Sequence, residues 1–221
     1  MRLAWDVQLV NVCAALLLFL AFAMLAQRRI VTLVNLLALQ GSVLCLATLL
    51  VAWRTGKSHL YVSAFLTLGL KVVFLPWLLR RLIRRFEVYW DTEPMINVSG
   101  TMLLGLLIVI FAFGLAQPIS ALANTSTKST IGVAIAVTLL AFLTIITRKK
   151  AMSQIVGFLS MENGLFFAAV SATYGMPMVV ELGVALDVLV AMLVLGVFFF
   201  QIRERFESLD LHHFESLREE Q

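Results

Sequence analysis

Charged residues are scarce in this chain of 221 residues, and cysteine is nearly absent. Asp, Glu, Lys and Arg make up 14% of the sequence, against roughly 25% in soluble proteins. Hydrophobic residues reach 61%, where soluble chains carry roughly 45–50%. This balance excludes a soluble single domain. The two cysteines, Cys13 and Cys45, stand in apolar runs without C-x-x-C or Cys/His spacing, so we predict no metal site and no cofactor.

The apolar residues are gathered into runs long enough to cross a membrane. A hydrocarbon core of roughly 30 Å needs about 20 helical residues. Runs of this length occur at 7–26, 32–52, 60–79, 97–116, 130–147, 152–173 and 179–201. We therefore predict an all-α integral membrane protein with about seven transmembrane helices. The loops between them are too short for a soluble catalytic domain.

The basic residues indicate the orientation, because Lys and Arg near transmembrane helices stay on the cytoplasmic side. One set of alternate connections is rich in them: Arg28, Arg29, Arg80, Arg81, Arg84, Arg85, Arg148, Lys149, Lys150, Arg203, Arg205 and Arg218. The opposite set holds only Arg2, Arg54, Lys57 and Lys128. We predict an outside N-terminus, an inside C-terminus and a location in the prokaryotic inner (plasma) membrane. The basic pI is then explained by topology, and we predict no nucleic-acid partner.

We divide the chain into four parts by composition. They are an N-terminal three-helix unit with a basic inside loop (1–95), a spacer helix with an outside loop (96–129), a C-terminal three-helix unit (130–202) and an acidic tail (203–221). The tail repeats apolar residues at helical spacing, which predicts an amphipathic helix against a protein partner. A shift of 122 residues places Gln40 on Glu162 and suggests a weak internal repeat.

Four ionisable residues stand inside apolar runs: Lys71, Glu162, Glu181 and Asp187. A charge near the bilayer centre costs roughly 2.5–3.5 kcal/mol, so such residues face the bundle interior and mark proton or ion paths. Glu162 lies twelve residues after Lys150, about 18 Å deep at the helical rise. Lys71 and Asp187 are also central, whereas Glu181 lies near the outer end of its helix and is the weaker candidate.

Two interpretations of these charges stay open. Desolvation brings the pKa values of buried carboxylates and lysines toward neutrality, which suits a proton relay. The alternative is a structural ion pair, such as Lys71 with Asp187, that fixes helix register. Pro76, five residues beyond Lys71, is predicted to kink its helix and expose the carbonyl of Val72, which would also suit a path for protons.

Three segments resemble a known family. They are Leu159-Ser-Met-Glu-Asn-Gly164, the stretch from Val180 to Asp187, and Ser63 to Pro76. They look like component E of hydrogenase-4, a membrane subunit of formate hydrogenlyase-type [NiFe] hydrogenase complexes. The last three helices are in turn similar to subunit K of respiratory complex I and to its small counterpart in Mrp-type cation/proton antiporters. In subunit K two successive helices each carry a carboxylate, and Glu162 and Asp187 match these positions.

The resemblance implies a non-catalytic subunit of a complex I-like membrane arm, part of an oxidoreductase complex. Its partners would be antiporter-like subunits, the membrane subunit that anchors the [NiFe] module, and lipid. The main rival is a stand-alone or antiporter-complex transport subunit, against which the lack of inverted repeats with broken helices argues. A membrane enzyme lacks a nucleophile with a base, and a retinal protein would place its lysine in the last helix.

Overall fold

The computed structural model describes residues 2–85, 97–121 and 128–173, together with Gly196, and every extended element in these ranges is helical. The α-helices are α1 (Arg2–Ala26), α2 (Ile30–Thr55), α3 (Ser58–Thr67), α4 (Leu75–Arg85), α5 (Val98–Ala121), α6 (Lys128–Thr147) and α7 (Ala151–Thr173). A π-helical segment, Leu68–Phe74, joins α3 to α4. The predicted all-α class is confirmed for the described residues.

Five stretches in the described residues are long and apolar enough to span a membrane: Val7–Ala26, Ile30–Thr55, Ser58–Arg84, Val98–Pro118 and Thr130–Thr147. They match the first five predicted runs. The sixth run is the helix α7, which carries several polar residues and is not among the five. The seventh run, 179–201, lies outside the described residues apart from Gly196. The chain is a multi-pass membrane protein, and the count of seven spans stays a prediction.

Four helices form the centre of the bundle. Helix α1 packs against α2 and α6, and α7 packs against α2 and α6, so the four make a closed ring. Helix α5 lies outside the ring against α6 and α1, and the continuous helix of α3, the π segment and α4 lies outside it against α2. Leu17, Leu44, Leu140 and Phe167 are among the fully buried side chains at the centre.

Three basic connections lie at one end of this bundle. Arg80 in α4 donates a hydrogen bond of 2.7 Å to Asn35 Oδ1 near the start of α2. Arg148, at the end of α6, donates to the carbonyls of Met24 and Leu25 at the end of α1. These contacts bring the basic residues that we predict to be cytoplasmic to the same end. The orientation of that end in a membrane stays a prediction.

The opposite end has a short turn at Gly56. This residue ends α2 in the left-handed region, with φ 65° and ψ 15°, and its N–H donates to Ala52 O. Glycine adopts this conformation without the Cβ clash that other residues suffer. Only Lys57 then separates Gly56 from the start of α3, so α2 and α3 are held as antiparallel neighbours.

Helices α6 and α7 approach closely at glycines. A Cβ added at Gly157 would lie 2.9 Å from Ile145 Cγ1 and 3.2 Å from the backbone nitrogen of Ile145. Helix association inside a membrane depends on such close contacts, because lipid tails are as apolar as the side chains and supply little hydrophobic drive. The absent side chain at Gly157 therefore contributes directly to the α6–α7 interface.

We expect Gly157→Ala to destabilise the protein by about 1–3 kcal/mol, the usual cost of overpacking. The matched control is Gly114→Ala in α5, where an added Cβ meets no atom of the described residues within 4 Å. That control should be neutral or stabilising by up to about 1 kcal/mol through helix propensity. Thermal denaturation of the detergent-solubilised protein measures both variants. Equal midpoints for the two would contradict the close packing.

Candidate functional site

A buried ion pair joins the third span to α7. Lys71 Nζ lies 3.0 Å from Glu162 Oε1, and each side chain is 4% exposed. Lys71 stands in the π segment, thirteen residues into the span Ser58–Arg84. Glu162 is twelfth in α7. Both charges are thus far from the helix ends, where neither long side chain can reach water by extending along the helix.

The π segment displaces Lys71 from ordinary α-helical register. Its hydrogen bonds span five residues, as in the bond from the N–H of Leu75 to the carbonyl of Leu70. Pro76 follows one residue later and has no N–H to donate, and its ring crowds the carbonyl four residues earlier. A wider turn before the proline relieves this crowding. The predicted irregularity at Pro76 is therefore present as π-helical backbone, and π segments are frequent at functional sites. A kink there stays a prediction.

Gly41 in α2 lets the backbone of the π segment come close. A Cβ added at Gly41 would lie 3.3 Å from Lys71 Cβ and 3.4 Å from Lys71 O. These distances are tighter than ordinary van der Waals contact, so a larger residue would displace Lys71. Gly41 therefore fixes the position from which the lysine side chain extends toward Glu162.

A pair of amides adjoins the ion pair. Asn163 Nδ2 donates to Gln40 Oε1 at 3.3 Å, and both residues are buried. Gln40 Nε2 and Asn163 Oδ1 find no hydrogen-bond partner within the described part of the chain. One buried donor and one buried acceptor beside Glu162 thus retain hydrogen-bonding capacity. Buried polar groups of this kind are costly unless a partner or water satisfies them.

Three consecutive residues of α7 contact three different helices. Glu162 meets Lys71 in the π segment, and Asn163 meets Gln40 in α2. Gly164 faces α6, where an added Cβ would lie 2.6 Å from Thr138 Oγ1 and 3.0 Å from Thr138 N. Successive residues of a helix point about 100° apart, so three of them can reach three neighbours. The Glu-Asn-Gly part of the segment that carried the family resemblance is therefore a junction of the bundle.

The ion pair and the amide pair form a polar layer between two apolar clusters. Along α2, Gln40 stands between Leu37 of one cluster and Leu44 of the other. Along α7, Leu159 and Phe166 flank Glu162 and Asn163 in the same way. The layer consists of Gln40, Lys71, Glu162 and Asn163, and we call it the polar layer.

The structure brings together two of the four predicted site residues. Lys71 is paired with Glu162, whereas the ion pair considered from the sequence was Lys71 with Asp187. The difference arises because sequence spacing gives the depth of a residue in the membrane but not the direction in which it points. Asp187 and Glu181 lie outside the described residues, so their roles stay predictions.

Arg148 is a second buried cation that the sequence analysis treated only as a topology signal. Its Nη2 donates to Leu25 O at 3.0 Å and to Met24 O at 3.3 Å. Burial, and to a smaller degree the positive charge of Arg28, lowers its pKa, but a guanidinium stays protonated in proteins. Arg148 thus neutralises the carbonyl end of α1 and ties α6 to it. The signal was a basic residue directly after an apolar run.

No group of three or more His, Cys, Asp or Glu side chains that could hold a metal is present in the ranges 2–85, 97–121 and 128–173. The chemistry that the described site offers is therefore that of its charges and amides. A carboxylate can accept and release a proton, and neighbouring ammonium and amide groups can donate hydrogen bonds to it.

The fold and the site define a class, a multi-pass α-helical membrane protein with a charged pair inside its bundle. No family model and no solved structure matches the chain. An uncharacterized protein of Mycobacterium tuberculosis, Rv0085, is 33% identical over 212 residues, 96% of each chain. Hydrogenase-4 component E of Escherichia coli K12 and of Shigella flexneri is 27% identical over 156 residues, 71% of each chain.

The chain belongs to the same family as the mycobacterial protein and is a distant homologue of hydrogenase-4 component E. The second relationship supports the family that the three sequence segments predicted. The likeness to subunit K of complex I is not addressed by these relatives and stays a prediction.

Removing one partner of the ion pair should cost far more than removing both. From the sequence alone, Glu162→Gln resembles the neutral amide at the aligned position Gln40, and a cost of about 1 kcal/mol, that of one hydrogen bond, would be expected. With Lys71 at 3.0 Å, the substitution leaves a buried ammonium without its carboxylate, and we expect about 3–5 kcal/mol. The double variant Lys71→Met with Glu162→Gln should lose less than the sum of the two single changes.

A double-mutant cycle on the solubilised protein measures this coupling through thermal midpoints. Arg80→Met is the matched control, because it removes a basic side chain whose hydrogen bond to Asn35 is exposed, and it should cost under about 1 kcal/mol. Additive losses at Lys71 and Glu162 would show that the two charges do not depend on each other.

Proposed function

We propose that this chain is a membrane subunit of a hydrogenase complex of the hydrogenase-4 type, located in the inner membrane. In that complex the Lys71–Glu162 pair contributes to a path for proton translocation. The observation that carries the proposal is the pair itself, two charges 3.0 Å apart and 4% exposed inside a bundle that is otherwise apolar.

The homology supports the hydrogenase context. Component E of hydrogenase-4 is by its name part of a hydrogenase, and the alignment covers 71% of each chain. The described helices offer no metal cluster and no soluble catalytic domain. A membrane subunit that works beside redox-active partners fits both facts.

Stability alone gives little reason to keep a charged pair at this depth. Replacing a buried ion pair by apolar residues of similar size is often neutral or stabilising, because desolvation offsets the attraction. A chain with so many Leu, Val and Phe residues could fill the same space without charge. Titratable groups inside a membrane mark ion and proton pathways, so a role in proton movement accounts for the pair better than a role in folding.

The rest of the polar layer supports the same role. Gln40 Nε2 and Asn163 Oδ1 are a buried donor and a buried acceptor with capacity to spare in the described structure. They flank the carboxylate of Glu162 along α7 and α2. Hydrogen-bonded groups or water that meet them would extend a chain of proton donors and acceptors from Glu162.

The likeness to subunit K adds a second carboxylate. In this part of the proposal Glu162 and Asp187 are the two acidic residues of successive helices, and Glu181 is a weaker contributor near the outer end. Asp187 is one methylene shorter than the Glu usual in subunit K, so a relay there needs an additional water. The neighbours of the chain are then antiporter-like subunits and the membrane subunit that anchors the [NiFe] module, with lipid around them.

Membership of the complex is tested by affinity purification. A tagged copy of the chain, expressed at its native level, should bring down [NiFe] hydrogenase subunits and antiporter-like subunits in mild detergent, identified by mass spectrometry. The control is an identically tagged transporter from the same membrane. Purification of the chain without any of these subunits would favour the alternative, a separate transport protein.

Proton coupling is tested by neutralising the pair. In inverted vesicles, Lys71→Gln with Glu162→Gln should leave the amount of complex and its activity toward artificial electron donors near wild type. Proton translocation per turnover should fall by about 10²-fold, the lower end of what a positioned acid–base group contributes. Asp187→Asn, which keeps size and removes titration, should act in the same direction.

Thr48→Val is the matched control for these vesicles. Thr48 is fully buried in α2, and its hydroxyl donates to Leu44 O within the same helix, so its removal should not affect translocation. Unchanged proton translocation in the neutral pair variant would show that Lys71 and Glu162 only hold helices together.

A further inference from the structure

The ammonium of Lys71 has a second neighbour besides Glu162. Its Nζ lies 5.2 Å from the centroid of the Phe166 ring, and Phe166 is 5% exposed. Phe166 follows Glu162 by four residues in α7, so the two side chains lie on the same face of that helix, one turn apart. The ammonium is thus held between a carboxylate and the face of an aromatic ring.

We propose that Phe166 is the positioning residue that holds the Lys71 ammonium in place when Glu162 takes up a proton. The functional part of this inference rests on the proposed proton path. The ring supplies a negative electrostatic face, and unlike the carboxylate it cannot be neutralised by protonation. Lys71 therefore has one partner whose charge changes during the cycle and one whose charge distribution does not.

The proton step shows why such a partner is useful. A hydrated proton on the path adds to the Glu162 carboxylate and forms a neutral carboxylic acid, while Lys71 remains an ammonium. At this stage the buried positive charge has lost its anionic counterpart. The Phe166 ring continues to attract it, and Gly41 holds the lysine backbone. When the acid releases its proton to the next acceptor, the ion pair forms again in the same place.

The position of Phe166 is defined by packing as well as by charge. It belongs to the apolar cluster that contains Leu44 and Phe167, directly on one side of the polar layer. Phe166→Leu would therefore change packing and charge together, and its effect would have no unique cause. Fluorination of the ring separates the two, because fluorine withdraws electron density from the ring face with little change in size.

The experiment places a graded series of fluorinated phenylalanines, with one, two and three fluorines, at position 166 of the chain in its complex. We expect the thermal midpoint to fall stepwise by about 2–4 °C over the series. Proton translocation per turnover should fall in the same order. The same series at Phe167, which is also buried in the apolar cluster, is the matched control and should leave both quantities unchanged.

A second control repeats the series at position 166 in the variant Lys71→Met with Glu162→Gln. With no ammonium present, the midpoint should be independent of fluorination. A stepwise fall that persists in this background, or that occurs equally at Phe167, would overturn the inference, since the ring would then act by packing alone. A fall in the midpoint with unchanged translocation would support the placement of Lys71 by Phe166 and overturn the proposed role in proton movement.

Discussion

The attraction between Lys71 and Glu162 is the constraint on which the arrangement of the outer and inner helices depends. Two charges in an apolar bundle must meet, because either one alone would be buried without compensation. At 3.0 Å the contact fixes how far the π segment and α7 are displaced along each other. Because α2 lies against both, its small residue Gly41 and its amide Gln40 are placed by the same contact.

The apolar surroundings give this contact its specificity. Inside a membrane the hydrophobic effect does not distinguish one helix pairing from another, since lipid is as apolar as a leucine side chain. Close contacts at Gly157 and Gly164 and the polar layer do distinguish them. The Glu-Asn-Gly sequence of α7 combines both means, with a charge, an amide and a missing side chain on three faces of one helix.

The sequence was sufficient for the helices and for the depth of the charges, but not for their partners. Apolar runs predicted five spans that the structure contains, because run length follows directly from membrane thickness. Lys71 and Glu162 stood out because charge is rare in such runs. Their pairing depends on helix rotation, which the π segment alters, and Phe166 could not be told from a lipid-facing aromatic. Its spacing of four residues from Glu162 was the available signal.

A site of this kind has a consequence for how its function can be separated from its fold. The residues that would carry protons also determine which helices pack together, so a change that leaves one charge unbalanced disturbs both properties at once. Changes that preserve neutrality and hydrogen bonding remove titration while leaving the contact between helices. The same reasoning applies to Phe166, where altering the charge distribution of the ring without altering its shape separates electrostatics from packing. For a buried relay, balanced or isosteric substitutions are therefore the informative ones, and simple truncations report mainly on assembly.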